Sequence, residues 1–357
     1  MEALVLNEKF EAIAVIDVFK SFIWSTRYDK CGDFELLTEA DDSIFENLKE
    51  DYYLYNKESD SVMIIEDIDI ETDIDNGNNV TITGRSLESI LDRRVIWNQT
   101  ILSGNLQDAI KKLLDENIIS PSIPERKISN FIFEESSDEA ITALTVDAQF
   151  LGENLYDVIV ALCEVNSIGF KITLNDSNQF VFKLYSGQDR SYDQINNPYV
   201  VFSPNFENII NSRYIQSKKT LKTVTMILGE GEGASRKQTT AEASSGAGSE
   251  LSRREMYTDA RDISMDTGEE EPITEEEYLA QLQQRGKEQL AENIYTKAFE
   301  GQVETTRMFV YGTDFFMGDI IQITNEYGHE SKARVIEVVS TQNTEGYSVY
   351  PTFGALS

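Results

Sequence analysis

Histidine, cysteine and basic charge are what this 357-residue chain has least of. One histidine, His329, and two distant cysteines, Cys31 and Cys163, provide no metal-ligand spacing and no disulfide framework. A zinc site is therefore excluded, and nothing ties His329 to Cys163 as a nucleophile and base. Cys163 adjoins the apolar face of an expected helix, which makes it a packed thiol. No run of eighteen apolar residues occurs, and Met1-Glu2-Ala3-Leu4 is not a basic segment leading into an apolar one. The expectation is a protein that neither spans a membrane nor leaves by a signal peptide, and that assembles in a reducing cytoplasm. Basic residues number 31 against 63 acidic ones, for a formal charge of −32 and a pI near 4.3. Gripping a phosphate backbone requires clustered Lys and Arg, so that class is excluded. The acidic surface either aids solubility or repels a nucleic acid that has to move past it.

What is present is enough apolar material, 40%, for two to four compact units. Residues 1–84 read as strands: Ala12–Val18, Ser21–Thr26, Phe34–Thr38 and Tyr52–Tyr55 are short β-branched or aromatic runs between charged turns. In Ile68–Asp75, a period of two places Asp67, Asp69, Glu71, Asp73 and Asp75 on one face and Ile68, Ile70 and Ile74 on the other. Asn76-Gly77 then supplies a hairpin turn, and Val80–Ile82 returns. Five carboxylates sharing one environment do not make an acid–base pair, which needs two pKa values pushed apart. Asp73-x-Asp75-x-Gly77 also fails as a calcium loop, since Gly77 takes a ligand position and Gly84 stands where the bidentate Glu belongs. The row is a solvated or lumen-facing strand face, with no cofactor and no metal expected.

Residues 105–185 read as an α/β stretch. Helices are expected over Leu106–Asn117 and Asn154–Asn166, the second ending at Gly169 as its C-cap. A hairpin pairs Phe170–Leu174 with Phe180–Tyr185. Strands resume at Val200–Phe202, Ile209–Gln216 and Leu221–Leu228. Residues 229–250, rich in Gly, Ala, Ser and Glu, read as a mobile loop, and without a following Lys-Ser or Lys-Thr they form no phosphate cradle. Thr274 and Glu277 make a capping box for a helix from about Glu275 to Phe299. Gln302–Tyr311, Ile320–Thr324, Lys332–Ser340 and Tyr347–Thr352 are the last strands.

Four segments in collinear order carry a family resemblance. In residues 82–118, ITGRSLESILDRRVIWNQTILSGNLQDAIKKLLDENI, a strand end is followed by a short helix capped by Ser86, with Leu87, Ile90 and Leu91 on one side. The pair Arg93-Arg94 and Trp97 then lead to a second helix. The turn Gly187-Gln188-Asp189-Arg190-Ser191 and the strands around Asp314–Ile323, Ala333–Val339 and Tyr350–Gly354 follow. This set resembles the siphophage tail-tip baseplate hub family, itself similar to the trimeric hub of contractile phage baseplates. The resemblance implies an α+β chain: two antiparallel β-barrel-like, tail-tube-related domains with an inserted α/β domain and an inserted helical segment. The implied boundaries are 1–100 for the first barrel, 101–190 for the α/β insert, 191–228 with 300–357 for the second barrel, and 229–299 for the loop and long helix.

By the same resemblance, three copies form a pseudo-sixfold ring in the virion at the tail tip, joined to the distal tail protein or tail tube protein. The tape measure protein and receptor-binding proteins are further implied partners, and DNA passes without sticking during ejection. The chain ends at Ser357 without the lytic or fibre domain of many relatives, which implies a bare structural hub and no enzyme. The acidic row from Asp67 to Asp75 is the candidate lining of the channel. Two other classes compete. A cell-wall hydrolase would need a carboxylate pair such as Glu134 and Glu135, and a receptor- or carbohydrate-binding adhesin would draw on sixteen Tyr and two Trp.

Overall fold

The computed structural model describes residues 1–73, 77–266, 273–303, 308–324, 327 and 330–356. The N-terminal strands are β1 (Ala3–Leu6), β2 (Ala12–Ile16), β3 (Ser21–Arg27) and β4 (Asp33–Glu39). A short helix α1 (Asp42–Asn47) precedes β5 (Tyr53–Tyr55), β6 (Val62–Asp73) and β7 (Gly77–Ser86). Val62-Met63-Ile64-Ile65 is apolar at every position because both faces of β6 are covered there. Met63 and Ile65 join a core with Phe22, Trp24 and Leu36, whereas Val62 and Ile64 face the α/β unit.

That unit begins with a 3-10 turn, Leu87–Arg93, in which Leu87, Ile90 and Leu91 are buried as expected. Ser86 does not cap it: its hydroxyl accepts from the Gly32 N–H at 2.7 Å, which ties the turn to β4 instead. Next come β8 (Thr100–Asn105), α2 (Leu106–Leu114), β9 (Phe131–Glu134), α3 (Glu139–Thr142), β10 (Thr145–Phe150) and α4 (Leu155–Val165). The expected hairpin of β11 (Gly169–Leu174) and β12 (Phe180–Tyr185) closes the unit, with Phe170 opposite Leu184, and β9 adds parallel to β12. Asn105 and Asn154 cap α2 and α4 through their side chains. The turn after α4 is made by Ser167 at φ 54°, not by Gly169, which opens the next strand.

The second half holds β13 (Val201–Phe202), β14 (Ile209–Ser217), β15 (Val224–Leu228), β16 (Gln238–Glu242) and β17 (Glu255–Asp259). It continues with α5 (Glu275–Ala291), β18 (Thr296–Val303), β19 (Ile320–Thr324), β20 (Glu330–Asn343) and β21 (Gly346–Ala355). The stretch expected to be mobile contains β16, which pairs with β15 and packs under α5 through Ala241. The capping box at Thr274 and Glu277 is present, but α5 ends at Ala291. Residues 296–303 leave the helical pattern because β14 and β21 claim their backbone as a strand.

The strand units do not form two barrels. Thirteen strands make one open sheet in the order β14-β18-β21-β20-β3-β4-β7-β6-β5-β1-β2, with β19 and β13 joined to β20. The long β20 is the reason: its N-terminal part pairs with β19, while Glu337–Asn343 pair with Arg27–Ser21 of β3. No sheet closes among the described residues. Two further apolar clusters gather around Phe202, Phe315, Ile321 and Val335, and around Ile227, Tyr278 and Leu282.

Candidate functional site

Two of the motifs carrying the resemblance, 129 residues apart at Arg190 and Asp319, meet in space. The Arg190 guanidinium donates to the Asp319 carboxylate at 2.6 Å, with the side chains 9% and 3% exposed. Asp319 also accepts from the N–H of Gln188 at 2.7 Å and of Phe316 at 3.0 Å. Arg190 N–H bonds Ile320 C=O, and Ile320 N–H bonds Gln188 C=O. Both motif glycines are required by closeness: a Cβ on Gly187 would lie 1.9 Å from the Gly318 backbone carbonyl carbon, and Gly318 itself sits at φ +87°. A buried charge pair of this kind is held by its geometry, and either partner left alone is costly.

Gly318 in turn lies against Tyr28, at the junction of all three units. Tyr28 is fully buried, and Cβ atoms built on Gly169 or Gly318 would stand 2.6 and 2.3 Å from its ring. Its N–H bonds Ile336 C=O of β20, its C=O accepts from Phe170 of β11, and its hydroxyl donates to Ser167 C=O. Arg334 places its guanidinium 5.1 Å from the ring centre and donates to Gly318 C=O at 2.9 Å. Burial pushes the Tyr28 hydroxyl up to about 12, against the lowering effect of Arg334. Next to it, burial and then the Glu164 charge raise the Asp29 carboxyl to about 6.

Beside the junction opens a cleft of about 640 Å³, with Trp24, Lys171, Tyr185, Tyr311 and Phe316 among its walls. Three ion pairs cross between units here: Lys171 with Asp60, Arg27 with Glu337, and Arg190 with Asp319. These contacts join elements rather than poise a reacting group. Glu134 is paired with Lys183 and Glu135 with Lys111, both exposed, so the two carboxylates occupy similar ion-paired settings. Cys163 is buried in the α/β core, and burial raises its thiol well above the ordinary value. His329 lies outside the described residues. Among the described residues no cluster of three His, Cys, Asp or Glu could hold a metal, and no helix is long and apolar enough to cross a membrane.

The acidic row lies on β6, opposite β7: Asp67 pairs with Thr83, Asp69 with Thr81, Glu71 with Asn79 and Asp73 with Gly77. Asp67, Asp69 and Glu71 are exposed, while Asp75 and Ile74 lie outside the described residues. The opposite face is covered only in part. Ile68 packs on the N-terminal core, but Ile70 is 54% exposed because the hairpin extends beyond that core. β5 pairs only with Val62–Ile64, so no strand among those described flanks the outer side of β6 from Asp67 onward.

Comparison with known proteins fits this architecture. The fold matches a 43 kDa tail protein of prophage MuSo2 from Shewanella oneidensis at 12% identity and TM-score 0.60, covering 99% of this chain and 98% of that one. It also matches the prophage tail protein gp18 from Listeria monocytogenes EGD-e at 13% identity and TM-score 0.55, covering 99% and 94%. A tail protein from Neisseria meningitidis MC58 aligns at 13% identity and TM-score 0.56, covering 99% and 95%. At these identities the likeness establishes a shared fold. No curated protein matches the sequence. The family model that does match spans residues 2–355, nearly the whole chain, and the chain belongs to the Siphovirus ReqiPepy6 Gp37-like protein family.

Proposed function

We propose that the chain is a structural baseplate-hub subunit at the distal end of a phage tail, three copies of which form a ring that joins or closes the tail tube and lets DNA pass during ejection. The observation that carries this reading is the end-to-end match to a siphovirus family, together with a fold shared with prophage tail proteins over 99% of the chain. The open sheet supports it. Unpaired strand edges invite pairing with another chain, and head-to-tail contacts that close on themselves generate rings. A single chain leaves β2, β14 and the outer part of β6 without further strand partners among the described residues. In this reading the barrel-like character belongs to the ring.

We divide the chain into a first hub domain (1–100), an α/β insert (101–190), a second hub domain (191–228 and 300–357) and a helical insert (229–299); the apolar clusters follow this order, except that Val62, Ile64, Leu87, Ile90, Leu91 and Ile96 pack with the α/β insert. The distal tail or tail tube protein, the tape measure protein and receptor-binding proteins are the partners this position calls for. We assign Asp67, Asp69, Glu71, Asp73 and Asp75 to the channel lining. Residues 1–75 carry 21 acidic and 6 basic side chains, a formal −15, so repulsion of phosphates would keep DNA sliding. The reading has the subunit turn over no substrate. The solution mass of the purified chain tests the ring: three copies are expected, and a monomer at assembly concentrations overturns it. Replacing Asp69, Glu71 and Asp73 with Lys is expected to slow ejection from assembled particles. Normal ejection removes the lining assignment while leaving the hub.

A further inference from the structure

A polar cluster joins the helical insert to the α/β unit, beside a bond from Ser264 N–H to the Gln149 side chain at 2.8 Å. Arg285 of α5 reaches Glu153, in the turn before α4, and Asp262, after β17, each at 3.0 Å, and it lies 3.7 Å from Glu288 on its own helix. The guanidinium also donates to Gln149 C=O at 3.3 Å and stands 5.5 Å from the Phe150 ring centre. Three carboxylates thus share one cation. Glu288 is the most deeply placed, 4% exposed, and it accepts from the Gln284 amide at 3.2 Å. The other charges bearing on it are Arg285, Glu153 and Glu292, and Glu292 in turn faces Glu164, Asp157 and Lys30. The group carries net −2; Asp262 and Glu153 reach water, whereas Glu288 does not, so the buried member is the one that gains by taking up a proton.

We propose that the Arg285 cluster is a proton-operated latch: α5 stays docked on β10 and α4 while the cluster holds a proton, and its docking weakens when all three carboxylates are ionised. Burial first, then the neighbouring carboxylates Glu153 and Glu292, raise Glu288 from 4.5 to about 7, with Arg285 and Gln284 acting in the opposite direction. Because the docked value is the higher one, protons favour docking, and the benefit is lost as pH rises through about 7. Between pH 5.5 and 8.5 the docking constant should fall roughly thirtyfold.

Hydrogen exchange of the Tyr278–Leu290 amides in the full chain, corrected for intrinsic rates, reads this directly. Protection in α5 should fall as pH rises to about 7 and level off above it, while protection in α2 stays constant. Glu288→Gln should hold α5 protection high and flat across the range. PH-independent protection in the native chain, or an unchanged profile in Glu288→Gln, overturns the latch. Should that variant fail to fold, Glu153→Gln must move the pH at which protection levels off downward, since it removes a like charge, and an unmoved levelling point overturns the proposal as well.

Discussion

Removing the Asp319 carboxylate tests whether the meeting of the two motifs holds the second half together. Asp319→Ala leaves the Arg190 guanidinium, 9% exposed, without its anion, and leaves the Gln188 and Phe316 N–H groups without an acceptor. Breaking a buried pair from one side costs about 3–5 kcal/mol, and each stranded backbone donor about 1–3 kcal/mol. These costs overlap, since water can follow the lost side chain, so about 4 kcal/mol is the working figure. The site reports on itself through the amides of Arg190 and Ile320, which bond Ile320 C=O at 2.7 Å and Gln188 C=O at 2.9 Å. Their exchange should accelerate by roughly two to three orders of magnitude, if local opening rather than global unfolding governs it. The double replacement Arg190→Met with Asp319→Leu should recover most of the loss, because an apolar pair leaves no orphaned charge. A single variant costing less than about 1 kcal/mol, or a double variant worse than the single one, would refute the reasoning.

Gly187→Ala should cost about 3 kcal/mol or more and lower the melting temperature, since the new methyl would meet the Gly318 backbone rather than a side chain that can turn away; a melting point within two degrees or so of the native chain counts against the close approach. Asp29→Asn should stabilise the chain by about 1–2 kcal/mol at pH 8. Burial raises the Asp29 carboxyl to about 6, so the penalty for its charge grows as pH climbs through that value, and the gain should vanish below pH 4; urea melts at the two pH values decide it. Trypsin should cut at exposed Lys219 before Arg236, whose side chain is 11% exposed and bonds Gly229 C=O and Asp259. A first cut at Arg236 would restore the mobile reading of that stretch.

What the chain disclosed in advance was local. α2, α4 and the β11–β12 hairpin were legible because spacing of three and four and a short polar turn each declare themselves within a few residues. α5 shows the limit: Leu290, Ile294 and Ala298 keep helical spacing, yet distant strands compete for the backbone and stop the helix at Ala291. β16 was hidden for a related reason, since Gln238-Thr239-Thr240-Ala241-Glu242 buries only Ala241 and takes its strand form from β15. The acidic face of β6 was visible in the alternation, but where the core under its other face stops was not, and Ile70 stands beyond it, 54% exposed. Arg190 and Asp319 each stood in a noticed motif. Their pairing spans 129 residues, and no periodicity in one sequence reports a contact at that range.

The register between β20 and β3 bears on how this molecule can move. Seven residue pairs, from Glu337 with Arg27 to Asn343 with Ser21, bind the chain's beginning to its end. The two strand-rich halves are not beads on a tether, and a hinge between them would have to unzip that ladder one backbone bond at a time. Pressure or pull on either half is therefore carried across the sheet, and the halves respond as one stiff plate. Any gate that such a plate belongs to must open along its outer borders or through the units perched on it.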